Sequence, residues 1–338
     1  MSDRFGPDQI ERDYAESLRS LLQARCGPAQ VREAWELPGG VSRELWRDLG
    51  ESGLFGIAVA PEWGGAGLGL DSLVVALEEV GVAAAPGPIV EAAAVVAPLL
   101  SESEGGDESL ARLLAGDLVV TTGLGPDPYV PCLEAADTVL VRDPAGRVRS
   151  ADPTELDATA LAGVDGSRPI HRLEPAAVGA VLGGADLEGA VDRGAIATAA
   201  VLVGLGRATV DRAVEYCGGR RQFGRPIGSF QAVQHALAEA HAEIELARGL
   251  VRHAAAAHAG NAVGTVDEMS RPVLASMAKV SATRAATFAA ERSLQAHGAM
   301  GYSFEYDLQL WLKRIWALAA AWGDLSWHQT RIGARLEL

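Results

Sequence analysis

The side chains able to do chemistry in this sequence are few, and their spacing excludes several reaction classes. Four histidines, His235, His241, His253 and His258, share one apolar-striped stretch at intervals of six, twelve and five residues. A helical metal site needs two ligands four residues apart, and neither that spacing nor an HExxH pattern is present. They read as solvated or hydrogen-bonded helix residues. Cys26, Cys132 and Cys217 are odd in number and too far apart for a CxxC pair, which suits a reducing compartment. No GxSxG elbow and no P-loop lysine motif occurs. The glycine-rich run Pro61 to Gly69 places Gly65, Gly67 and Gly69 two residues apart. No strand–helix–strand alternation surrounds it and no acidic ribose ligand follows at the expected distance, so it reads as a tight loop between helices.

The elements that would position any site fall into three stretches. Up to about residue 115 the pattern is helical: Ile10 to Gln23, Val41 to Ser52 with Leu45, Trp46 and Leu49 on one face, Leu70 to Val82, and Val90 to Leu100. From 116 to 187, short β-branched runs at Leu118–Leu124, Asp137–Asp143, Gly146–Asp152 and Arg168–Glu174 predict a small, mainly antiparallel β-domain. Asp143-Pro-Ala-Gly146 is the expected hairpin turn. From 188 to 338 the pattern is helical again, with long helices expected near 190–218, 228–259, 266–297 and 304–335. Phe230, Val233, Leu237, Ala240, Ile244, Ala247 and Val251 form the stripe of a bundle helix. Gly204 and Gly206, inside an apolar helix, suggest close backbone approach to a neighbour.

Composition narrows the partners. The formal net charge is −15 with no basic run to offset it, so neither nucleic acid nor an anionic membrane is expected to bind. Lys279 and Lys313 are the only lysines, so almost all the basic charge is arginine. The first residues are charged and lack an apolar signal core, and no run of about 18 apolar residues predicts a membrane span. A cytoplasmic location is the expectation.

Three collinear segments carry a family resemblance. GGRRQFGRPIGSFQAVQH, Gly218 to His235, resembles the RxQFGxPIxxFQxVxH segment of the acyl-CoA dehydrogenase family. Leu294 to Tyr302 resembles its QLHGGxGY motif, and GLFGIAVAPEWGGAGLGLDSLVVALEEVG its GLLGLxxPEEYGGxGL segment. The resemblance implies a mainly helical acyl-CoA dehydrogenase fold: an N-terminal helical domain (1–115), a reduced β-domain (116–187) and a C-terminal four-helix bundle (188–338). It further implies FAD at a subunit interface, with Arg221, Gln222 and Phe223 meeting its pyrophosphate and adenosine half, and Gln295 and Gly298 meeting the same half from a neighbouring subunit. Arginine suits a diphosphate through its planar fork, and glycine suits close approach of the backbone.

Departures from the pattern matter as much. The family's glutamate base, in a YEGT motif near the C-terminus, removes the α-proton of the thioester. The corresponding stretch here is Ala321-Trp322-Gly323-Asp324, with Trp322 at the base position. The alternative base position, at the start of the long helix before RxQF, is Gly194. Neither residue can act as a general base. Asp324 is the nearest carboxylate and the weak remaining candidate, with helix capping or an interface role favoured for it. The TEPGxGSD loop and the strand that cover the flavin ring are shortened by about two dozen residues after Thr121-Thr122-Gly123-Leu124.

These departures resemble the short, base-less chains of actinobacterial paired acyl-CoA dehydrogenases, several of which act on steroid side-chain thioesters. The resemblance implies a second acyl-CoA dehydrogenase chain carrying the glutamate, an α2β2 assembly, an acyl-CoA substrate and an electron-transfer flavoprotein as acceptor. Such a chain is expected to be inactive alone. Two other readings stand beside it: a homo-oligomeric flavin oxidase or monooxygenase using Asp324, and a non-catalytic scaffold.

Overall fold

The computed structural model describes residues 6–103, 106–175, 177–262, 267 and 270–336. Helix α1 (Gln9–Arg25) starts at a capping box in which Asp8 and Glu11 satisfy each other's backbone N–H. After α2 (Pro28–Ala34), α3 (Arg43–Glu51) buries Leu45, Trp46 and Leu49, the face its spacing predicts. The glycine-rich run is the expected tight loop, leading into α4 (Gly69–Val82). The next apolar stretch departs from a simple helix: a π-helical segment, Glu91–Val96, runs into α5 (Ala97–Glu102). Helix α6 (Asp107–Leu114) closes the N-terminal part.

Seven short strands follow: β1 (Val120–Gly123), β2 (Tyr129–Pro131), β3 (Thr138–Arg142), β4 (Val148–Ala151), β5 (Ala158–Leu161), β6 (Ile170–Leu173) and β7 (Ala180–Val181). They form two small sheets, β1-β3-β4-β7 and β2-β6-β5. All pairings are antiparallel except β1–β3, because the chain leaves for the second sheet through β2 before returning alongside β1. The turn between β3 and β4 is closed by Gly146 N–H donating to Asp143 O at 2.9 Å.

The C-terminal part is built on α7 (Leu187–Gly219), a two-stranded hairpin of β8 (Arg221–Gln222) and β9 (Arg225–Pro226), then α8 (Gln231–Ala259) and α9 (Arg271–His297). The start of α9, expected at 266, falls partly outside the described residues. Where one helix over 304–335 is expected there are two, α10 (Leu308–Ala320) and α11 (Leu325–Arg335). They are separated at Trp322 and Gly323, whose φ of 58° and 97° cannot continue a right-handed helix. Helix α7 is long and apolar enough to cross a membrane, but 83% of its apolar window is buried in the bundle, so it is a core helix here. The close approach expected on α7 is real: a Cβ on Gly204 would overlap the carbonyl of Glu78 on α4.

Two adjacent buried carboxylates on α4 are paired. Glu78 meets Arg248 and Arg252 from α8 at 3.0 and 3.1 Å, and Glu79 meets Arg19 and Arg207 at 2.8 and 2.9 Å. The three cysteines are free and buried, and burial raises the Cys132 thiol to about 12.

Candidate functional site

The break between α10 and α11 brings together Trp322 and Gly194, the two residues that stand where the family resemblance would place a base. Trp322 holds a left-handed backbone, uncommon for a bulky residue and costing on the order of 1–3 kcal/mol. Its indole lies on Gly194 of α7 so closely that a Cβ at 194 would fall within the ring's van der Waals envelope. One empty base position is therefore the floor for the side chain that fills the other. The indole Nε1 donates to Glu91 Oε1 at 3.2 Å, and Glu91 also receives Arg168 Nη2 at 2.6 Å. Glu91 and Arg168 are both buried. Burial alone would raise the Glu91 carboxyl, but the Arg168 guanidinium and the hydrogen bonds hold it below the usual carboxylate range.

The strained turn is pinned from behind. Lys279 of α9, fully buried, donates to Ala319 O at 2.9 Å and Gly323 O at 3.2 Å. Burial lowers its ammonium to about 7, with Asp324 opposing that shift. His328 of α11 donates from Nε2 to Trp322 O at 3.0 Å, and burial lowers its pKa to about 3. Asp324 is the N-cap of α11, accepting from Trp327 N–H at 2.8 Å. Trp322 and Gly323 lie outside any helix, and Asp324 begins the next one. Its side chain is committed to the cap.

What remains of the cleft is about 70 Å3, lined by Glu91, Thr122, Tyr129, Arg168 and Trp322 among others. Small-molecule sites run to roughly 300–1,000 Å3. The loop above it, between β1 and β2, is only Leu124–Pro128, and the Thr121 and Thr122 hydroxyls are spent on Pro131 O and Leu140 O. A flavin ring does not fit this cleft.

The second locale presents its residues outward. Tyr216 near the end of α7 stacks on His297 near the end of α9, with ring centroids 4.5 Å apart. That contact, with Cys217 Sγ 4.0 Å from Ala296 O, brings together the helix ends from which the two motifs run. Gln222, Gln295 and Gly298 are exposed, and Phe223 is 92% exposed with φ 51°. Gly298, at φ 58° and ψ −139°, has a conformation that favours glycine, and nothing lies within 4 Å of the space its Cβ would take.

Arg221 does not face the neighbouring cleft. It folds back on its own hairpin and donates to Gly224 O at 3.1 Å. The arginine lining that cleft is Arg220, together with Arg212, Tyr216 and Tyr306. The signal was in the spacing: the arginine of RxQF stands three residues before the phenylalanine, and three before Phe223 is Arg220. Exposed donors of this kind fit an adenosine diphosphate group, whereas the closed cleft does not fit a ring.

Comparison with known proteins identifies the family. The family model described as acyl-CoA dehydrogenase, N-terminal domain, matches residues 8–116, and the C-terminal domain model matches 183–337. The chain is 31% identical to acyl-CoA dehydrogenase IpdE2 of Mycobacterium tuberculosis, over 91% of each chain. Its fold superposes with a TM-score of 0.86 on a chain of the steroid acyl-CoA dehydrogenase Tcur3481–Tcur3483, at 26% identity over 97% of this chain and 98% of that one. A glutaryl-CoA dehydrogenase from Mycobacterium smegmatis, solved with FADH2, shares the fold at a TM-score of 0.82 and 19% identity, over 99% of this chain and 96% of that one. With both ends of the chain matched and a curated relative aligned along nine-tenths of it, the protein belongs to the acyl-CoA dehydrogenase family.

Proposed function

We propose that this chain is the base-less subunit of an FAD-dependent acyl-CoA dehydrogenase that introduces an α,β double bond into a CoA thioester. A partner chain of the same fold supplies the glutamate base and the complete ring cleft, and an electron-transfer flavoprotein takes the electrons. The single observation that carries this reading is the closed cleft. Trp322 occupies one base position, lies on the other at Gly194, and is tied to the buried Glu91–Arg168 pair. When bound, FAD would supply the hydride acceptor. This chain's part is to hold its adenosine diphosphate end at the exposed face, through Arg220, Gln222, Phe223, Gln295 and Gly298. The proton leaves to the partner's glutamate, because the two carboxylates bonded around the turn are engaged elsewhere. Glu91 is already paired, and Asp324 is committed to its helix cap.

A steroid side-chain thioester is the proposed substrate, supported by the likeness to the steroid enzyme pair named above. The test is flavin content, measured on the chain alone and on the chain co-purified with an acyl-CoA dehydrogenase chain that carries the glutamate. Little flavin alone and about one FAD per pair of unlike chains is the expected result. One FAD per chain in the isolated protein sinks the proposal.

A further inference from the structure

Arg212 is out of place by the standards of this molecule. The chain has 44 acidic residues against 29 basic ones, and several half-buried arginines, Arg207, Arg248 and Arg252 among them, reach carboxylates. Arg212, on α7 two turns before Arg220, makes no ion pair and no hydrogen bond among the described residues. Its guanidinium lies over the indole of Trp311, 3.5 Å from the ring centroid. Trp311 is itself fixed, 2% exposed and donating to Val82 O at 2.9 Å. A cation–π contact of this kind contributes roughly 0.5–2 kcal/mol, well short of the several kcal/mol that withdrawing a charge from water costs. The nearby carboxylates do not neutralise it: Asp307 is held by Arg32 at 3.0 Å, and Glu215 on the cleft wall makes no ion pair with it.

Arg212 and Arg220 share one open cleft of about 430 Å3 with Tyr216 and Tyr306. Arg220 is likewise unpaired among the described residues. The carbonyl end of α7 carries partial negative charge and would repel an anion, so any anion seated there depends on these two guanidiniums. Two unpaired arginines beside two tyrosine rings match a ligand that joins phosphates to a flat base. We propose that Arg212, with Arg220, clamps the phosphates of an adenosine diphosphate group, a moiety common to FAD and CoA. Trp311 serves as the platform that holds Arg212 in place. This inference rests on the reading that the exposed face takes the nucleotide end of a cofactor, and adds a residue to it.

The test is calorimetric titration of the full chain, alone and assembled with its partner chain, using ADP, 3′-phosphoadenosine 5′-diphosphate and FMN as probes. ADP is expected to bind, and Arg212→Gln to weaken it at least tenfold, with Arg212→Lys recovering part of the loss. Because Lys keeps the charge but not the planar fork, partial recovery separates clamping from mere folding. Tighter binding of the 3′-phosphorylated probe assigns the clamp to CoA, and equal binding assigns it to FAD. No ADP binding in either form, unchanged affinity in Arg212→Gln, or FMN binding as well as ADP overturns the inference. If the assembly holds FAD and Arg220→Gln releases it while Arg212→Gln changes neither FAD nor ADP binding, only the role of Arg212 fails. An assembly without FAD sinks the broader reading instead.

Discussion

Two regions of this molecule treat the same cofactor fold in opposite ways. Around Trp322, the indole, Glu91, Arg168 and Lys279 are bonded inward and little of the cleft is left open. At the ends of α7 and α9, donors and aromatic rings point outward, and the arginines stand unpaired. On the proposed reading, the contrast separates a site given up for chemistry from one kept for binding. A site no longer needed for catalysis can be packed like core, whereas a site that serves a neighbour must stay exposed and pay in unpaired charge.

The largest expected effect tests the inward half. Arg168→Leu leaves Glu91 buried without its cation, and breaking a buried pair from one side costs about 3–5 kcal/mol. The shift in urea midpoint should show it, while flavin held by the assembled complex remains. Trp322→Ala should come close behind, at about 3–5 kcal/mol for a buried large-to-small change, less whatever relief the left-handed backbone gains. Added indole should return part of that loss if the ring is a plug, and a variant as stable as the parent would mean that the cleft collapses without it.

Protonation probes the pins behind the turn. His328 is held neutral, its pKa depressed to about 3, so between about 6.5 and 3 the unfolded chain binds a proton that the folded one refuses. Its contribution is present above pH 6.5 and is lost as the pH falls through that window. Lys279 acts in the same sense at higher pH. With its ammonium lowered to about 7, stability should rise between about 7 and 10.5, where only the unfolded chain remains protonated. Unfolding measured across pH should therefore slope upward in both windows. His328→Gln should flatten the acidic limb, and persistence of the slope in that variant would assign it elsewhere.

The smallest effect on stability belongs to the outward half. Arg220→Gln should change unfolding by no more than about 0.5 kcal/mol, as for an exposed substitution. Flavin retention in the assembled complex should nevertheless fall tenfold or more. The same substitution at Arg221 should leave flavin nearly unchanged, since that side chain is turned onto Gly224. Equal losses at the two positions would blur the distinction between them.

Most of the helical architecture was legible because its signals are periodic: the α8 stripe and the buried face of α3 are where their spacing puts them. Strands β2, β5 and β7 were missed. They are two to four residues long, too short for alternation to show, and β5 is largely exposed. The split between α10 and α11 was missed although Gly323 and the capping Asp324 mark it, because the apolar run on either side reads as one continuous helix. The missing base was legible as a substitution. That Trp322 lies on Gly194 was not, since the two are 128 positions apart in the chain. Arg212 carried no motif, and only its lack of a partner in three dimensions sets it apart.

The contact between Trp322 and Gly194 also governs what mutation can do to this chain. A glutamate at 194 has no room while the indole is in place. A glutamate at 322 would face the carboxylate of Glu91 and forfeit the hydrogen bond that the indole now gives it. Neither single replacement yields a working base, so a return to a self-sufficient subunit needs coordinated changes at 322, 194 and 91, with the shortened β1–β2 loop rebuilt as well. Each intermediate would be less stable than its parent and no more active. On the proposed reading, the interlock acts as a ratchet: it would make reliance on a second chain easy to keep and hard to escape.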